Sequence, residues 1–274
     1  MSAILWALVG VVSVAAAGVA YGWFEAGWLR TRVLEIRIPD LPAALDGLRI
    51  AHLSDFHLGM PLSRGRVATE RAVAWTEARH PDLVCVTGDL VSHPRGELRL
   101  RELLVRLGRP YVVLGNHDVA MARDPFSRAA KLDDLREAVL LRDEAVEIVV
   151  REARIQIVGV EPRSYEARTA DPWRLADTSV GFRLLLCHFP GIVRRHSNRA
   201  FDLILTGHHH AGQIAIPYPG GKLALAHPRA NDLAGLIATT CGPMHVSPGL
   251  GTSLLPVRFF ARPEVTELVL RVAA

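Results

Sequence analysis

The side chains able to do chemistry fall into one repeated arrangement. Asp55 and His57, Asp89, Asn116 and His117, His188, and His208 with His210 each occupy a short tip that follows an apolar run. All are carboxylate, amide-oxygen or imidazole donors, a mixture that suits manganese, iron or zinc better than a lone magnesium or calcium. They are too many for one ion with an open position. Two ions about 3.5–4 Å apart, bridged by a carboxylate, would use them all. Asp89 stands midway in the series and has two oxygens, so it is the natural bridge. One such tip alone is more often a helix cap or a turn. Five tips of the same form after five apolar runs point instead to a shared site.

The tip Gly207-His208-His209-His210 follows Leu203-Ile204-Leu205-Thr206. Side chains alternate along a strand, so His208 and His210 are expected to face one way and His209 the other. His52, inside its apolar run, reads as a satisfied core histidine. Cys85, Cys187 and Cys241 lie in apolar surroundings without C-x-x-C spacing, and each reads as a buried thiol.

The elements that must carry these tips follow from periodicity. Strands are expected at Val33–Ile38 (an edge), Leu48–Leu53, Leu83–Val86, Tyr111–Leu114, Leu184–Cys187 and the run before Gly207, with an antiparallel pair at Glu147–Val150 and Ile155–Val160. Helical spacing covers Val67–Arg79 and Leu98–Leu107, and a helix followed by a turn is read at Val119–Leu141. A short helix is expected near Pro172–Leu175, another after His188, and closing strands at Pro256–Phe260 and Glu264–Leu270. Strands alternating with helices indicate an α/β sheet flanked by helices, whose functional crevice lies at the strand ends.

Residues 3–24 carry no charge, about the ~20 needed to span a bilayer as a helix. Tyr21, Trp23 and Trp28 would form an interfacial belt. A cleaved signal peptide is the rival reading, with Ala15-Ala16-Ala17 as a cleavage site, but no Lys or Arg precedes the apolar run. The chain is therefore read as an anchor at residues 1–29 and one domain at residues 30–274. Arg30, Arg32 and Arg37 follow the span, which places the domain on the cytoplasmic side of a single-pass membrane protein. The formal charge of +4 comes almost wholly from Arg, Lys occurring only at Lys131 and Lys222. No basic run interleaved with aromatics is present in the sequence, so nucleic acid is not an expected partner.

Asp55-Phe56-His57, Gly88-Asp89, Gly115-Asn116-His117-Asp118, His188 and Gly207-His208-His209-His210 resemble the ordered motifs of the calcineurin-like metallophosphoesterases, over roughly residues 48–270. Gly207–Gln213, Gly249-Leu250-Gly251 and Pro263-Glu264-Val265 are similar to a bacterial membrane-anchored branch of phosphodiesterases and UDP-2,3-diacylglucosamine pyrophosphatases. The resemblance implies a four-layer αββα double β-sandwich. It implies that Asp55, His57 and His210 hold one metal, that Asn116, His188 and His208 hold the other, and that Asp89 bridges them. It implies that His117 faces the scissile phosphate as a catalytic group. Asp118 is read either as the group orienting the His117 ring or as the N-cap of a following helix. The residue between the last two histidines is usually small and hydroxylated in the family, and here it is His209.

The expected activity is hydrolysis of a phosphomonoester, phosphodiester or pyrophosphate by metal-activated hydroxide, on a membrane-proximal or lipid-linked substrate such as UDP-2,3-diacylglucosamine. Trp28, Met60, Pro61 and Leu62 are candidates to face lipid. Arg64 or Arg66 would clamp a substrate phosphate if not simply solvated. The competing class is a membrane-anchored metal-binding scaffold that keeps the fold without turnover. A nuclease would share the metal chemistry but would need a basic groove.

Overall fold

In a computed structural model, residues 3–273 are described except 123, 129, 197, 220, 227, 229 and 231. The elements run α1 (Ala3–Glu25), β1 (Arg30–Ile38), β2 (Arg49–Leu53), α2 (Gly65–Arg79), β3 (Leu83–Thr87), α3 (Glu97–Arg106), β4 (Tyr111–Val113) and β5 (Val139–Leu140). They continue with β6 (Glu144–Val150), β7 (Ala153–Gly159), α4 (Pro162–Glu166), β8 (Phe182–Leu186), β9 (Leu203–Thr206), β10 (Ala215–Tyr218), β11 (Gly221–Ala224), β12 (Gly235–Thr239), β13 (Gly242–Val246) and β14 (Glu264–Val272). Short 3-10 turns, among them Pro172–Leu175 and Pro190–Arg195, fill the connections.

Two six-stranded sheets form, ordered β1-β14-β2-β3-β4-β5 and β12-β13-β9-β8-β7-β6, with the hairpin β10–β11 outside both. In the first sheet β2, β3, β4 and β5 are mutually parallel, and β14 runs antiparallel to β2. The near-continuous apolar runs of β2, β3, β8 and β9 are explained by burial on both faces. Ile50, Leu83 and Cys85 of one sheet meet Ile157, Leu184 and Leu205 of the other in the central core. Ala72, Val73, Leu100 and Leu104 of α2 and α3 cover the opposite face of the first sheet, against Leu53 and Val86. The outer face of the second sheet, with Leu185, Ile204 and Met244, is covered by Phe189, Ile192, Trp173 and Tyr165. The order is helix, sheet, sheet, helix, and the last layer is α4 and 3-10 turns only.

Two expectations need correction. Residues 119–138 form turns and loops where described, not a helix. Ala120 has φ 59° and Pro125 lies a few residues on, so a helical start is blocked while Leu132, Leu135 and Ala138 still reach the core. Pro256–Phe260 is not a strand: Phe259 makes one isolated bridge to Ile214, and Phe260 has φ 53°. Between Ala215 and Val246 the chain adds four short strands, β10–β13, whose runs are too brief to show a period.

Among the described residues α1 is the helix long and apolar enough to cross a membrane, with mean hydropathy 2.3. Its last turn is built into the domain. The Phe259 ring lies 2.5 Å from where a Gly22 Cβ would stand, Arg258 donates its backbone N–H to the Gly22 carbonyl at 2.9 Å, and buried Glu25 accepts from the Ala261 N–H at 2.7 Å. Met60 is buried, so of the residues expected to face lipid it is withdrawn. Leu62 is exposed and its carbonyl accepts from the Trp23 indole at 2.8 Å.

Candidate metal centre

The parallel strands β2, β3, β8 and β9 all end on one side of the molecule, and the loop after each carries a donor tip. Asp55, His57, Asp89 and His210 bring one ligand atom each within 4.8 Å of one another, all buried. Asp89, His188 and half-buried His208 likewise bring one ligand atom each within that distance. Asp89 is common to both groups, its Oδ2 lying 3.5 Å from His57 Nε2 and 3.3 Å from His188 Nε2. Asn116 Oδ1 lies 3.2 Å from His188 Nε2, which places the amide in the second group. All seven residues expected to hold metal therefore meet in one place.

The backbone at these tips is unusual. Asp55, His57, Asp89, His208 and His210 all have φ between 46° and 72°, a left-handed conformation that strains residues other than glycine. It corrects the strand-alternation argument for His208 and His210. β9 ends at Thr206, and the left-handed turns at both histidines send them to different groups. His210 Nε2 reaches Asp55 Oδ1 at 3.3 Å, His208 Nδ1 reaches His188 Nε2 at 3.1 Å, and His209 turns away to the Asp232 carbonyl at 2.9 Å. Gly207 is required because a Cβ there would stand 2.5 Å from Asp55 Oδ2.

Ring partners set the tautomers. His188 Nδ1 lies 2.8 Å from the Thr87 carbonyl, to which it donates, leaving Nε2 for the site. His57 Nδ1 lies 2.9 Å from Ser92 Oγ, so its Nε2 also faces inward. Burial pushes His57 and His208 well below the usual histidine range, which keeps both neutral. Burial would raise both carboxyls, but His210 and His188 outweigh it at Asp55, and His188 and His117 at Asp89, so both stay ionised. Burial works against a charge on His188 too, yet Asp89 lifts it to about 9.

The donor set fits divalent ions. Imidazole nitrogens face one another at 3.1 Å in two places, His57 Nε2 to His210 Nε2 and His208 Nδ1 to His188 Nε2, each beside an ionised carboxylate. Nitrogens and carboxylate oxygens this close around one point suit a divalent ion, which would take the place of the proton that His188 otherwise carries.

His117 stands at the edge of the groups, with Nε2 4.0 Å from Asp89 Oδ2 and its backbone N–H donating to Asp89 Oδ1 at 2.9 Å. Its ring is held by Ser127, whose Oγ lies 2.8 Å from Nδ1. Both readings of Asp118 are corrected. No helix follows it, and its carboxylate accepts from the backbone N–H groups of Leu90 (2.8 Å), Val91 (3.1 Å) and Gly115 (2.9 Å), not from the His117 ring. Burial and Asp89 raise it to about 7 against those three donors. Arg64 stacks over Trp23 and Phe24 at 4.7 and 5.7 Å, docking α1 instead of reaching into the donor groups. Arg66 is exposed beside Glu70.

Ser92, Ser127 and Arg258 were not legible in the sequence. Arg258 is fully buried, and its Nη2 donates to the Gly251 carbonyl at 2.6 Å and lies 3.3 Å from His210 Nδ1. Nothing in its neighbourhood, an Arg between apolar residues after a proline, signals such a place.

The calcineurin-like phosphoesterase profile matches residues 48–212. The chain is 30% identical over 230 residues to the uncharacterized metallophosphoesterase YkoQ of Bacillus subtilis, covering 80% of this chain and 82% of that one. It is 30% identical over 260 residues to the transmembrane protein with metallophosphoesterase domain of Danio rerio, covering 88% of this chain but 58% of that protein. It is 26% identical over 262 residues to the UDP-2,3-diacylglucosamine pyrophosphatase LpxG of Chlamydia trachomatis, covering 77% of each.

Proposed function

The chain belongs to the calcineurin-like phosphoesterase family, and from that premise we propose that it hydrolyses a membrane-proximal or lipid-linked phosphoester at a pair of divalent metal ions. Hydrolysis of phosphoesters is the family's reaction. The reading rests on one observation above the others: two donor groups, one buried and one largely so, share the single carboxylate Asp89.

Asp55, His57 and His210 would hold one ion and Asn116, His188 and His208 the other, with Asp89 available to both. When bound, the ions supply Lewis acidity at the phosphoryl oxygens and an activated water as nucleophile. Thr87 and Ser92 fix the His188 and His57 rings so that Nε2 meets the site. His117, its Nδ1 tied to Ser127, presents Nε2 to the phosphate and protonates the leaving oxygen. Manganese, iron and zinc all match the imidazole-rich set.

Residues 1–29 act as the anchor and residues 30–274 as the catalytic domain, the last turn of α1 serving both. The apolar helix and the transmembrane relative support membrane association. Arg30, Arg32 and Arg37 beyond the helix favour a cytoplasmic domain. The substrate named for the Chlamydia relative, UDP-2,3-diacylglucosamine, combines a pyrophosphate with acyl chains and is the leading candidate.

The test is the full chain in detergent, loaded with manganese, iron or zinc, against aryl phosphomonoester, aryl phosphodiester and lipid-linked pyrophosphate. Elemental analysis should give two ions per chain, and Asp89→Ala should lose both ions and turnover. Absence of turnover with every metal would leave the non-catalytic scaffold. Equal rates on lipid-linked and soluble diesters would remove the lipid-linked substrate. A C-terminal reporter fusion reads the side of the membrane.

A further inference from the structure

The hairpin β10–β11 belongs to neither sheet. Ala215 and Ala224 at its base are buried, while Ile216, Tyr218, Leu223 and Leu225 are 44% to 55% exposed. A patch of large apolar side chains on a projecting hairpin marks a contact surface. Nothing within the described chain covers it.

Its position says what does. Ala215 donates its N–H to the Phe259 carbonyl at 2.9 Å, and Lys222 Nζ donates to the Phe260 carbonyl at 2.8 Å. Phe259 in turn packs on Gly22 and, with ring centroids 6.1 Å apart, on Tyr21. The hairpin therefore flanks the last turn of α1, at the end where that helix leaves the bilayer. A cleft of about 450 Å³ lies between them, with Tyr21 and Glu25 on one side and Pro217 and Lys222 on the other. Arg30, Arg32, Lys222 and Arg262 line it against the acids Glu25 and Glu264, an excess of positive charge. Phe260, half exposed, lines the same cleft. Apolar residues beside cations, continuous with a spanning helix, match the headgroup region of a leaflet and its anionic lipids.

We propose that the β10–β11 hairpin is a second membrane-contacting element, which enters the leaflet on the domain's side beside α1 with the cationic cleft at headgroup level. β10 begins five residues after His210, so this contact would tie the metal centre to the membrane surface at a fixed distance. The inference rests on α1 spanning the bilayer and needs no turnover.

The experiment uses the full chain in nanodiscs holding one chain each, made of phosphatidylcholine with or without phosphatidylglycerol. Single cysteines Ile216→Cys and Leu223→Cys carry an environment-sensitive fluorophore, the native cysteines being fully buried. Val149→Cys, 69% exposed on β6 at the far edge of the second sheet, is the aqueous control, and Val12→Cys reports the helix. Labels at 216 and 223 should show blue-shifted emission and quenching by shallow nitroxide lipids, more so with phosphatidylglycerol, while the label at 149 shows neither. Lys222→Glu should remove the extra effect of the anionic lipid. If 216 and 223 behave like 149 while 12 is lipid-buried, the hairpin stays in water and the proposal fails on its own. If their shift occurs only in discs holding two chains, the surface contacts a second copy and the proposal fails as well.

Discussion

Two neighbouring residues in one tip, His117 and Asp118, do different work. His117 faces the donor groups and is fixed by Ser127, while Asp118 faces inward and ties the loop after β3 to the loop after β4. His117→Ala is expected to lower kcat/KM on an aryl phosphodiester by about 10²–10⁴-fold, the usual worth of a positioned acid, with two ions still bound by elemental analysis. Loss of metal together with activity would make His117 a structural group instead. Asp118→Ala leaves three buried N–H groups without their acceptor, each costing about 1–3 kcal/mol. It should lower the unfolding midpoint in denaturant strongly, and Asp118→Asn, which keeps an acceptor oxygen, should recover part of the loss. Equal stability of all three proteins would contradict the stapling role.

At the scale of elements, the docking of α1 is the distinctive feature. A membrane anchor joined by a loose linker would tolerate change in its last turn. Here the Phe259 ring occupies the space a Gly22 side chain would need, whereas Gly18 has nothing within 4 Å. Gly22→Val should therefore cost about 1–3 kcal/mol through overpacking, read as a lower thermal midpoint in detergent, and Gly18→Val should be nearly neutral there. The same midpoint for both variants would mean that α1 is not docked as described. The displaced segment includes Arg258, which lies 3.3 Å from His210, so α1 and one donor of the candidate metal centre share a support.

For the whole molecule, the two sheets are joined in the core by a polar contact. His52 of β2 and His245 of β13 face each other with Nδ1 atoms 2.8 Å apart, and His52 Nε2 lies 2.9 Å from Thr87 Oγ1. A histidine read as satisfied in the core is so, but its partner comes from the other sheet. Burial and Arg32 push His245 down to about 3, and burial with His245 pushes His52 well below its usual range. Both fold neutral and take up protons on unfolding. Their contribution is complete above about pH 6.5 and is lost as pH falls toward 3, at up to about 1.4 kcal/mol per pH unit for each group. His245→Gln should flatten the decline in unfolding free energy between about pH 6.5 and 5 relative to the wild type. An unchanged slope would show that the pair does not hold the sheets together in this way.

The sequence by itself determined the donor set, because seven residues of the right chemistry recur at strand ends and apolar runs mark those strands whatever surrounds them. It determined the apolar N-terminal helix for the same reason, since twenty-two uncharged residues make a helix long enough to cross a membrane without any partner. Only the tertiary structure decided how the tips are aimed. Asp55, His57, Asp89, His208 and His210 all take left-handed turns, and Gly207 and Gly115 pack closely against the Asp55 and Asp89 carboxylates; Asp and His tolerate that conformation better than most residues, but only the tertiary contacts select it. It likewise decided that residues 119–138 loop instead of coiling, which brings Ser127 to His117, that Asp118 braces backbone, and that Arg258 and His245 join the site and core from far along the chain. Such pairings span up to 193 residues, and a periodicity read over a dozen residues carries no record of them.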